Sequence, residues 1–503
     1  MANETSGVPF IFKFGTSNAQ YIYDVNTNHI IDVEPSVFNL VDYYRCSDSS
    51  LDKVRTRLPE GYDDRDLVTA FNILSRLRDQ HDLFSNHRPI SMNFFDSRNE
   101  VDHALQHKVN SLVLSVTEQC NFRCAYCIFS GAYYYRRSHS NRRMSLKTAL
   151  HAVDFLRSHS DKAENLAVTF YGGEPLLNYP VIREIIEYCR SVFNRPVLHS
   201  LTTNSSLLDE EKIHYFHSRG IYLVISIDGP QKQHDRFRRD IAGHETYEQV
   251  IRVLEMIHKL DPVYYFSHIS FSAVIPHPSW YDDFYEFVKN NPLLSNSIFR
   301  TSSIEYEDTV LQRENFVKPG FEADFLIPHE QFMNSLLHRY TTSDRLKPVF
   351  DDQFNLRLSL FHERCHHLLG DVVKSNGLCL PGIRKLFVNT DGRFGICERV
   401  PDYPIGDLAH GLDSEVIWSL IRQYIELSSD CFNCPAVRFC LLCFQHILRK
   451  GVDIERKHIF CKYERKDFER TLILYCMILE KDTHALDWLV DHRQKMAAAF
   501  DNK

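Results

Sequence analysis

Three cysteines, Cys120, Cys124 and Cys127, lie on one short stretch of the chain in a CxxxCxxC spacing. Three thiolates this close can bind three corners of a cubane four-iron four-sulfur cluster, which leaves one iron without a protein ligand and open to an outside molecule. A zinc site is the alternative, but structural zinc usually has four protein ligands, so a histidine such as His139 would have to complete it. The spacing predicts a metal centre and favours an open iron-sulfur cluster over zinc.

Seven further cysteines form a second pattern in the C-terminal third of the chain. The chain has 14 cysteines in 503 residues, which is too few for a disulfide scaffold, and their clustering is typical of metal binding. The pattern runs Cys379-x12-Gly392-x4-Cys397, then Cys431-x2-Cys434-x5-Cys440-x2-Cys443, and then Cys461.

Composition indicates the environment in which these thiols work. The chain has 58 Lys and Arg against 66 Asp and Glu, a net charge of −8, which argues against nucleic-acid binding driven by net charge. The first residues lack the charged and apolar regions of a signal peptide, and no stretch approaches the ~18 to 20 apolar residues that cross a bilayer. We therefore expect a cytoplasmic protein with no membrane partner and no nucleic-acid partner. Reducing conditions there keep cysteines available as ligands.

The elements that position these residues alternate between strand and helix from about residue 109 to residue 300, which predicts βαβ units on a parallel sheet. In a barrel of such units, the site lies at the carboxyl ends of the strands. The candidate strands are residues 112–117, 167–170, 197–202, 221–226 and 269–275. The cysteine loop follows the first strand, and the next three are followed by glycines and polar residues, namely Gly172, Gly173, Glu174, Thr203, Asn204, Ser226 and Asp228.

At these motifs the sequence resembles the radical S-adenosylmethionine superfamily, an α/β family with a partial (β/α)6 TIM-like barrel. The resemblance implies that Cys120, Cys124 and Cys127 hold a 4Fe-4S cluster whose open iron binds S-adenosyl-L-methionine. One-electron reduction would then split the carbon-sulfur bond and give a 5′-deoxyadenosyl radical.

The same resemblance implies contacts with S-adenosyl-L-methionine outside the cluster. Tyr126 would lie near the adenine, and Glu174 of the GGE motif (Gly172, Gly173, Glu174) would bind the methionyl ammonium. Arg238, the last residue of an HDxxR pattern that begins at His234, would lie near the carboxylate. Polar residues at the other strand ends would contact the ribose or shape the pocket: Thr203, Asn204, Ser226 and Asp228.

The C-terminal cysteine pattern resembles the SPASM domain, which carries two auxiliary 4Fe-4S clusters. One departure is visible, because two residues rather than three separate Cys440 from Cys443. The resemblance implies that a first auxiliary cluster is held by Cys379, Cys397 and Cys443, and a second by Cys431, Cys434, Cys440 and Cys461. The first set is one thiolate short. Cys365, fourteen residues before Cys379, would complete it, or that iron is open to a substrate group.

The N-terminal region has β-rich runs followed by helical patterns, which predicts a small α+β module. It resembles the winged-helix-like peptide-recognition element of enzymes that mature ribosomally synthesised peptides, and such a sheet edge pairs with an extended peptide. The alternative is a packing extension of the main domain. We therefore predict four regions: an N-terminal module (1–105), a radical S-adenosylmethionine barrel (106–327), a SPASM domain (328–465) and a helical extension (466–503).

These resemblances predict an oxidoreductase that matures a ribosomal precursor peptide. It would abstract a hydrogen from a residue of that peptide and install a thioether or carbon-carbon cross-link, with a reductant such as flavodoxin or ferredoxin. One alternative is an anaerobic sulfatase-maturating enzyme that forms formylglycine. A second is a non-catalytic, metal-bearing scaffold that binds peptides. No residue in the sequence identifies the catalytic acid or base.

Two basic groups remain outside these motifs. Arg136 and Arg137 follow three tyrosines just after the cysteine loop, which indicates a solvated rim of the active site rather than a nucleotide-binding patch. The run from Arg449 to Lys466 surrounds Cys461. It would offset the negative charge of a thiolate-bound cluster or form a solvated helix face.

Overall fold

Three short antiparallel strands open the chain in the computed structural model, which describes residues 7–48, 50–93, 97–319, 329–342 and 353–490. The strands lie in the order β1-β2-β3, and Asn28 takes the left-handed conformation (φ 66°) that closes the second hairpin. Asp63 begins the longest helix of the module by accepting hydrogen bonds from the amides of Arg65 and Asp66. The elements are β1 (Ile11–Gly15), β2 (Gln20–Asp24), β3 (His29–Val33), α1 (Pro35–Leu40), α2 (Leu51–Arg55), α3 (Asp64–His81), β4 (Ser91–Met92) and α4 (Arg98–His107).

The next region confirms the predicted α/β class, because six strands form one parallel run in the order β5-β6-β7-β8-β9-β10. Apolar residues alternate along β6, so that Val168 and Phe170 pack under the helices while Thr169 and Tyr171 face the other side. The elements are β5 (Ser111–Thr117), α5 (Leu146–Ser158), β6 (Leu166–Gly172), α6 (Tyr179–Val192), β7 (Val197–Thr203), α7 (Glu210–Arg219), β8 (Tyr222–Ser226), α8 (Gln231–Phe237), α9 (Tyr247–Leu260), α10 (Pro262–His268), β9 (Ile269–Val274), α11 (Tyr281–Asn290) and β10 (Ile298–Ser302).

The C-terminal region continues the same sheet. A hairpin strand, β12, pairs in parallel with β5 through Leu386 and Leu112, and antiparallel strands follow in the order β13-β14-β15. The two residues of β11, Val372 and Val373, pair in parallel with β4 near the N-terminal module. The elements are α12 (His329–Thr341), α13 (Gln353–His362), β11 (Val372–Val373), β12 (Leu386–Val388), β13 (Arg393–Cys397), β14 (Val400–Asp407), β15 (Gly411–Leu412), α14 (Ser414–Glu426), α15 (Phe444–Ile447) and α16 (Ile454–Lys481).

Two of the three proposed domain boundaries fall inside helices. The boundary after residue 105 falls inside α4, which continues to His107. The boundary after residue 465 falls inside α16, which continues to Lys481. The boundary after residue 327 lies outside the described residues. Over the described ranges, each helix is either too short or too polar to span a membrane.

The N-terminal sheet has two apolar faces. One packs on the module's own helices through Ile22, Leu40 and Leu74. The other lies against the C-terminal region, where the ring of Phe468 on α16 is 5.5 Å from Phe12 and 5.7 Å from Tyr23 between centroids. The module therefore has a small core of its own and is also packed onto the rest of the chain.

Glu480 on α16 fixes the first hairpin of this module. Its carboxylate accepts hydrogen bonds from the Thr16 hydroxyl (2.6 Å), the Asn18 amide (2.7 Å) and the Tyr21 hydroxyl (2.8 Å). We expect Glu480→Ala to lower the free energy of unfolding by about 1 to 3 kcal/mol and to speed hydrogen exchange in β1 and β2, because three donors lose their acceptor. Glu469→Ala, at an exposed position of the same helix, is the control, and equal exchange in both variants would contradict the anchoring role.

Candidate active site at the carboxyl ends of the strands

The cysteine loop that follows β5 is paired along its backbone with the segment that follows α8. The amide of Arg123 donates to the carbonyl of Arg239 (2.8 Å), and the amide of Ala125 donates to that of Phe237 (2.8 Å). The amide of Ile241 donates back to the loop at Asn121 (2.9 Å). This ladder holds the three cysteines over the barrel mouth.

The three thiols of this loop are unbridged and partly buried. The pKa of Cys120 is raised to about 11 and that of Cys124 to about 12, mainly by burial, and the nearby charge of Cys127 contributes to both increases. Cys127 Sγ is also 3.8 Å from Nε2 of His139.

This donor set fits a four-iron cluster in its chemistry. In the described part of the chain, no three His, Cys, Asp or Glu side chains form a group that could hold a metal ion. A cubane cluster does not require its ligands to converge on one point, because each iron atom of the cluster takes its own thiolate. Cys120, Cys124 and Cys127 are the residues that would hold it.

The two glycines of the GGE motif allow β6 to approach the start of the cysteine loop. A Cβ on Gly172, whose φ is +142°, would lie 2.1 Å from the carbonyl oxygen of Thr117, and one on Gly173 would lie 2.2 Å from that of Gln119. The amides of Gly173 and Glu174 donate to these same two carbonyls, both at 2.9 Å. Here the glycines therefore serve a close contact between two backbone segments.

Glu174 joins the ends of β6 and β7. Its carboxylate accepts from the Thr203 hydroxyl (2.8 Å), the Asn204 amide (2.8 Å) and the Leu176 amide (3.1 Å). Burial raises the pKa of Glu174 to about 7, against the lowering effect of these donors. The Asn204 side chain also donates to Asn121 of the cysteine loop at 2.9 Å. The structure thus brings three of the predicted residues together beside the loop.

Tyr126, Asp228 and Arg238 form a buried network behind the cysteines. The Arg238 guanidinium donates to the Tyr126 hydroxyl at 2.9 Å, and that hydroxyl donates to Asp228. Arg238 Nη1 is 3.6 Å from Asp228 Oδ1, and the other contact of that oxygen is the amide of Val274 on the neighbouring strand (3.0 Å). Tyr126 lies between two cysteines, so this network fixes the loop to the ends of β8 and α8.

Within the HDxxR pattern, the residues before Arg238 also make internal contacts. His234 is fully buried, with Nδ1 accepting from the Asp228 amide (3.4 Å) and Nε2 3.1 Å from the Thr246 hydroxyl. Asp235 accepts from the amides of Thr246 and Tyr247. Ser226 is the last residue of β8, two positions before Asp228.

A cavity lies between the segment after the cysteine loop, the residues that follow β10, and β14. Glu305 follows the sixth parallel strand and faces this cavity, and Arg456 donates to it at 3.3 Å. Burial raises the pKa of Glu305 and lowers that of Arg136, which lines the same cavity. Sequence reasoning missed Glu305, although its place after the sixth strand is the signal that had found the other polar residues.

Three more polar groups lie near the loop, and two of them, Tyr171 and Glu398, were not anticipated. Tyr171 precedes Gly172, and burial followed by the charge of Glu398 raises its pKa to about 12. Glu398 accepts from Lys385 (2.6 Å) through Oε1, while its buried Oε2 has no partner among the described residues. Nη2 of Arg137 is likewise buried and has no hydrogen-bond partner among the described residues. The guanidinium of Arg137 lies 3.8 Å over the ring of Phe129. Arg137 is therefore half-buried against the loop, whereas Tyr134, Tyr135, Arg142 and Arg143 around it are exposed.

The seven C-terminal cysteines fall into two neighbouring groups. Burial has the largest effect on the pKa of Cys397 and raises it, and the charges of Glu398 and Cys443 raise it as well. Burial also raises the pKa of Cys443, and the charge of Cys379 adds to that increase. Burial raises the pKa of Cys431 to about 12. The charge of Lys457 opposes this increase, whereas the charges of Cys461 and Cys434 add to it. That second group consists of Cys431, Cys434, Cys440 and Cys461.

Cys365 lies apart from the contacts that join those groups. It is exposed, and its carbonyl accepts from the Asn28 side chain (3.0 Å) in the β2–β3 turn. Arg364 beside it donates to the Asn28 carbonyl at 3.0 Å. Ligation by Cys365 stays a prediction, whereas its backbone contact is with the N-terminal module.

Residues 114–288 match the family model of the Radical SAM superfamily. An uncharacterised protein of Methanocaldococcus jannaschii is 34% identical over 119 residues, which cover 24% of this chain and 38% of that protein. The radical SAM cyclopropyl synthase TigE of Paramaledivibacter caminithermalis is 22% identical over 219 residues, which cover 39% of this chain and 45% of the synthase. The chain thus spans less than half of the length of these two curated relatives.

A longer match joins the chain to a cysteine-type anaerobic sulfatase-maturating enzyme of Clostridium novyi, 23% identical over 380 residues, which cover 72% of this chain and 95% of that enzyme. Among solved structures, native anSMEcpe with bound AdoMet superimposes with a TM-score of 0.53 at 17% identity, covering 73% of this chain and 99% of that one. At this identity the likeness concerns the fold alone.

Proposed function

The chain contains a radical S-adenosylmethionine domain at residues 114–288, and from this premise we propose that it is an enzyme that modifies a peptide through the 5′-deoxyadenosyl radical. The observation that carries the proposal is the cysteine loop itself. Its thiols belong to a CxxxCxxC spacing, its backbone is paired with residues 237–241, and the GGE motif packs against its first residues. A site of this construction holds three thiolates rigidly and leaves the fourth corner of a cluster to a ligand.

When bound at Cys120, Cys124 and Cys127, the 4Fe-4S cluster with S-adenosyl-L-methionine supplies a radical that abstracts hydrogen. The chain's own residues surround that position. Glu174 offers an oriented carboxylate to an ammonium group, since its hydrogen bonds to Thr203 and Asn204 fix it in place. A bound ammonium would also lower the raised pKa of Glu174, which favours the charged form needed for binding.

The modified residue of the peptide would enter beside the loop. Glu398 and Arg137 each present a buried polar atom without a partner in the described residues, and Tyr171 lies near both. An acceptor, a donor and a phenol in one place can hold a peptide group from both sides. Glu398 directly follows Cys397, so that this position lies between the cysteine loop and the first auxiliary thiol group.

The precursor peptide would be held by the N-terminal module. Within the described part of the chain β3 pairs with β2 alone and ends the three-stranded order, so its outer edge could accept an added strand. The module is fixed at its other hairpin by Glu480, so a bound peptide would extend from a firmly placed sheet toward the active site. Installation of a thioether or carbon-carbon cross-link in this peptide is our leading proposal.

Formation of formylglycine is the second candidate. The observation that favours it is the length of the match to the sulfatase-maturating enzyme, which covers 95% of that protein. About a quarter of this chain remains unmatched in that comparison, and the N-terminal module with its own core supports the peptide-maturase reading instead.

The first test is reductive cleavage of the cofactor. We expect the anaerobically reconstituted protein to produce 5′-deoxyadenosine from S-adenosyl-L-methionine and dithionite, measured by liquid chromatography with mass detection. Cys124→Ala should abolish this product, whereas Cys189→Ala, at a buried core cysteine, should retain it. Metal analysis should find about 12 iron atoms per chain, four for each of three clusters. Zinc without iron would support the scaffold alternative, and no product from the wild type would exclude the enzyme.

The second test separates the two modifications. Coexpression with a short peptide encoded beside this chain should give a product lighter by two hydrogens for each cross-link, with fragments that stay joined. An aldehyde that reacts with a hydrazide probe, on a sulfatase-derived peptide, would instead establish formylglycine formation.

A further inference from the structure

Three arginines line the cavity beside β14, and two of them have internal partners. Arg449 binds the carboxylate of Asp308 through two nitrogens, at 2.8 and 3.1 Å, and that of Asp453 at 2.6 Å. Arg456 also binds Asp308, and its Nη2 donates to Glu305 at 3.3 Å. The charges of these two arginines are therefore compensated within the protein.

Arg136, the third arginine of the cavity, has no such partner. In the described part of the chain, no group hydrogen-bonds to its guanidinium or forms a salt bridge with it, although the side chain is half-buried. Burial lowers the pKa of Arg136, and the charges of Glu305, Asp402 and Cys397 oppose this decrease without a direct contact. The donors of this guanidinium are therefore available to a ligand in the cavity.

The other polar groups of the cavity also favour a ligand that accepts hydrogen bonds. Nε of Arg456 is buried without a partner among the described residues, and the Arg456 side chain is only 5% exposed. The acceptors, in contrast, are in use. Glu307 accepts from the Tyr463 hydroxyl at 2.7 Å, and the exposed Asp402 accepts from the amide of Arg137. The cavity thus has more donors than its own acceptors satisfy.

The walls and the place of the cavity suit a peptide side chain. Tyr133, Leu448 and Val400 are buried and line it with apolar surface. The Tyr133 hydroxyl donates at 3.2 Å to the carbonyl of Tyr126, which lies between two cysteines of the loop. Val400 follows Cys397 by three positions. The cavity therefore lies between the cysteine loop and the first auxiliary thiol group.

We propose that Arg136 is a specificity-determining residue that binds a carboxylate of the substrate peptide, either an Asp or Glu side chain or the C-terminal carboxylate. The proposal rests on the proposed function, because it names the substrate class of that site. A guanidinium binds a carboxylate through two parallel hydrogen bonds, and the methylene groups beside that carboxylate would pack on the apolar walls. Arg137, the next residue, lies where the reacting peptide group would be held, so the bound carboxylate would set the register of the peptide.

The test measures the binding of synthetic peptides by isothermal titration calorimetry. The probes are short capped peptides with either aspartate or asparagine at the centre, and an all-neutral peptide with either a free or an amidated C terminus. The full-length reconstituted protein is used with S-adenosyl-L-methionine and without reductant. We expect a peptide with a carboxylate to bind at least about tenfold more tightly than its neutral counterpart. The pair that shows this preference identifies the side chain or the C terminus as the source.

Variants of Arg136 assign the preference to this residue. Arg136→Gln should bind the charged and the neutral peptide with equal Kd, and Arg136→Lys should retain part of the preference, because it keeps the charge and loses the planar donors. Arg142→Gln is the matched control. It removes the same charge at an exposed position that is already paired with Asp391 at 2.8 Å, and it should keep the full preference. The preference is a ratio measured on one protein, so a partly unfolded fraction of a variant does not change it.

The carboxylate site is excluded if the wild type binds no charged peptide better than its neutral counterpart, or if Arg136→Gln keeps the preference. It is also excluded if Arg136→Gln changes only the reduction potential of the bound clusters, which would assign Arg136 to charge compensation beside Cys397. Formation of 5′-deoxyadenosine with dithionite is measured separately. If the wild type forms none, the proposed function fails, while the binding result still tests Arg136.

Discussion

Arg238→Gln is expected to lower the free energy of unfolding by about 3 to 5 kcal/mol, because it removes the positive charge beside Asp228 and leaves that buried carboxylate without its cationic partner. Arg238 and Asp228 are both buried, and Tyr126 lies between them. Urea denaturation of the protein without metal, followed by circular dichroism, measures the change directly. Because the same network fixes the cysteine loop, iron retention after reconstitution should fall as well.

The matched control for this variant is Arg236→Gln. Arg236 lies two residues earlier at the end of α8, is exposed, and packs over Phe237 and Trp280. It should cost no more than about 1 kcal/mol, as surface substitutions usually do. Tyr126→Phe keeps both charges and removes only the hydroxyl, so we expect an intermediate loss. Equal stability of the Arg238 and Arg236 variants would refute the network as the anchor of the loop.

Gly173→Ala is expected to weaken the attachment of the cysteine loop to β6. The added Cβ would lie 2.2 Å from the carbonyl oxygen and 2.5 Å from the carbonyl carbon of Gln119, and backbone atoms cannot move aside as a flexible side chain can. The end of β6 would have to separate from the start of the cysteine loop, at a cost of about 1 to 3 kcal/mol. The expected result is a protein that folds and loses iron readily, measured as iron per chain after desalting.

Gly451→Ala provides the comparison, because a Cβ there meets nothing within 4 Å and the residue has no positive φ. It should retain the iron content of the wild type. If Gly173→Ala also retains full iron, then the contact between the GGE motif and the loop is not what holds the cysteines in place.

Much of this architecture could be predicted because it depends on local patterns. The alternation of strands and helices predicted the parallel sheet, and the spacing of Cys120, Cys124 and Cys127 predicted one metal-binding loop after its first strand. Polar residues after strands gave Glu174, Thr203 and Asn204, since parallel strands end at one edge. Each of these inferences uses residues that are close in the sequence or related by a fixed period.

The features that escaped prediction join distant parts of the chain. The pairing of Arg123 and Ala125 with residues 237–241 is made by backbone atoms, which leave no side-chain signal. Arg238 was expected near a carboxylate of the cofactor, and its contact with the Tyr126 hydroxyl is a matter of tertiary geometry. Arg137 was expected on the rim of the active site, and its packing 3.8 Å over the ring of Phe129 is a tertiary contact that the sequence does not show.

The pairing of β12 with β5 has a consequence for the order of synthesis. β5 leads directly into the cysteine loop, but its outer edge is covered by residues 386–388, which leave the ribosome more than 250 residues later. Until then β5 is an open edge of a parallel sheet, and such edges associate with other chains. A nascent or truncated barrel should therefore be prone to aggregation. Completion of the sheet beside the metal site would follow the emergence of residues 386–388.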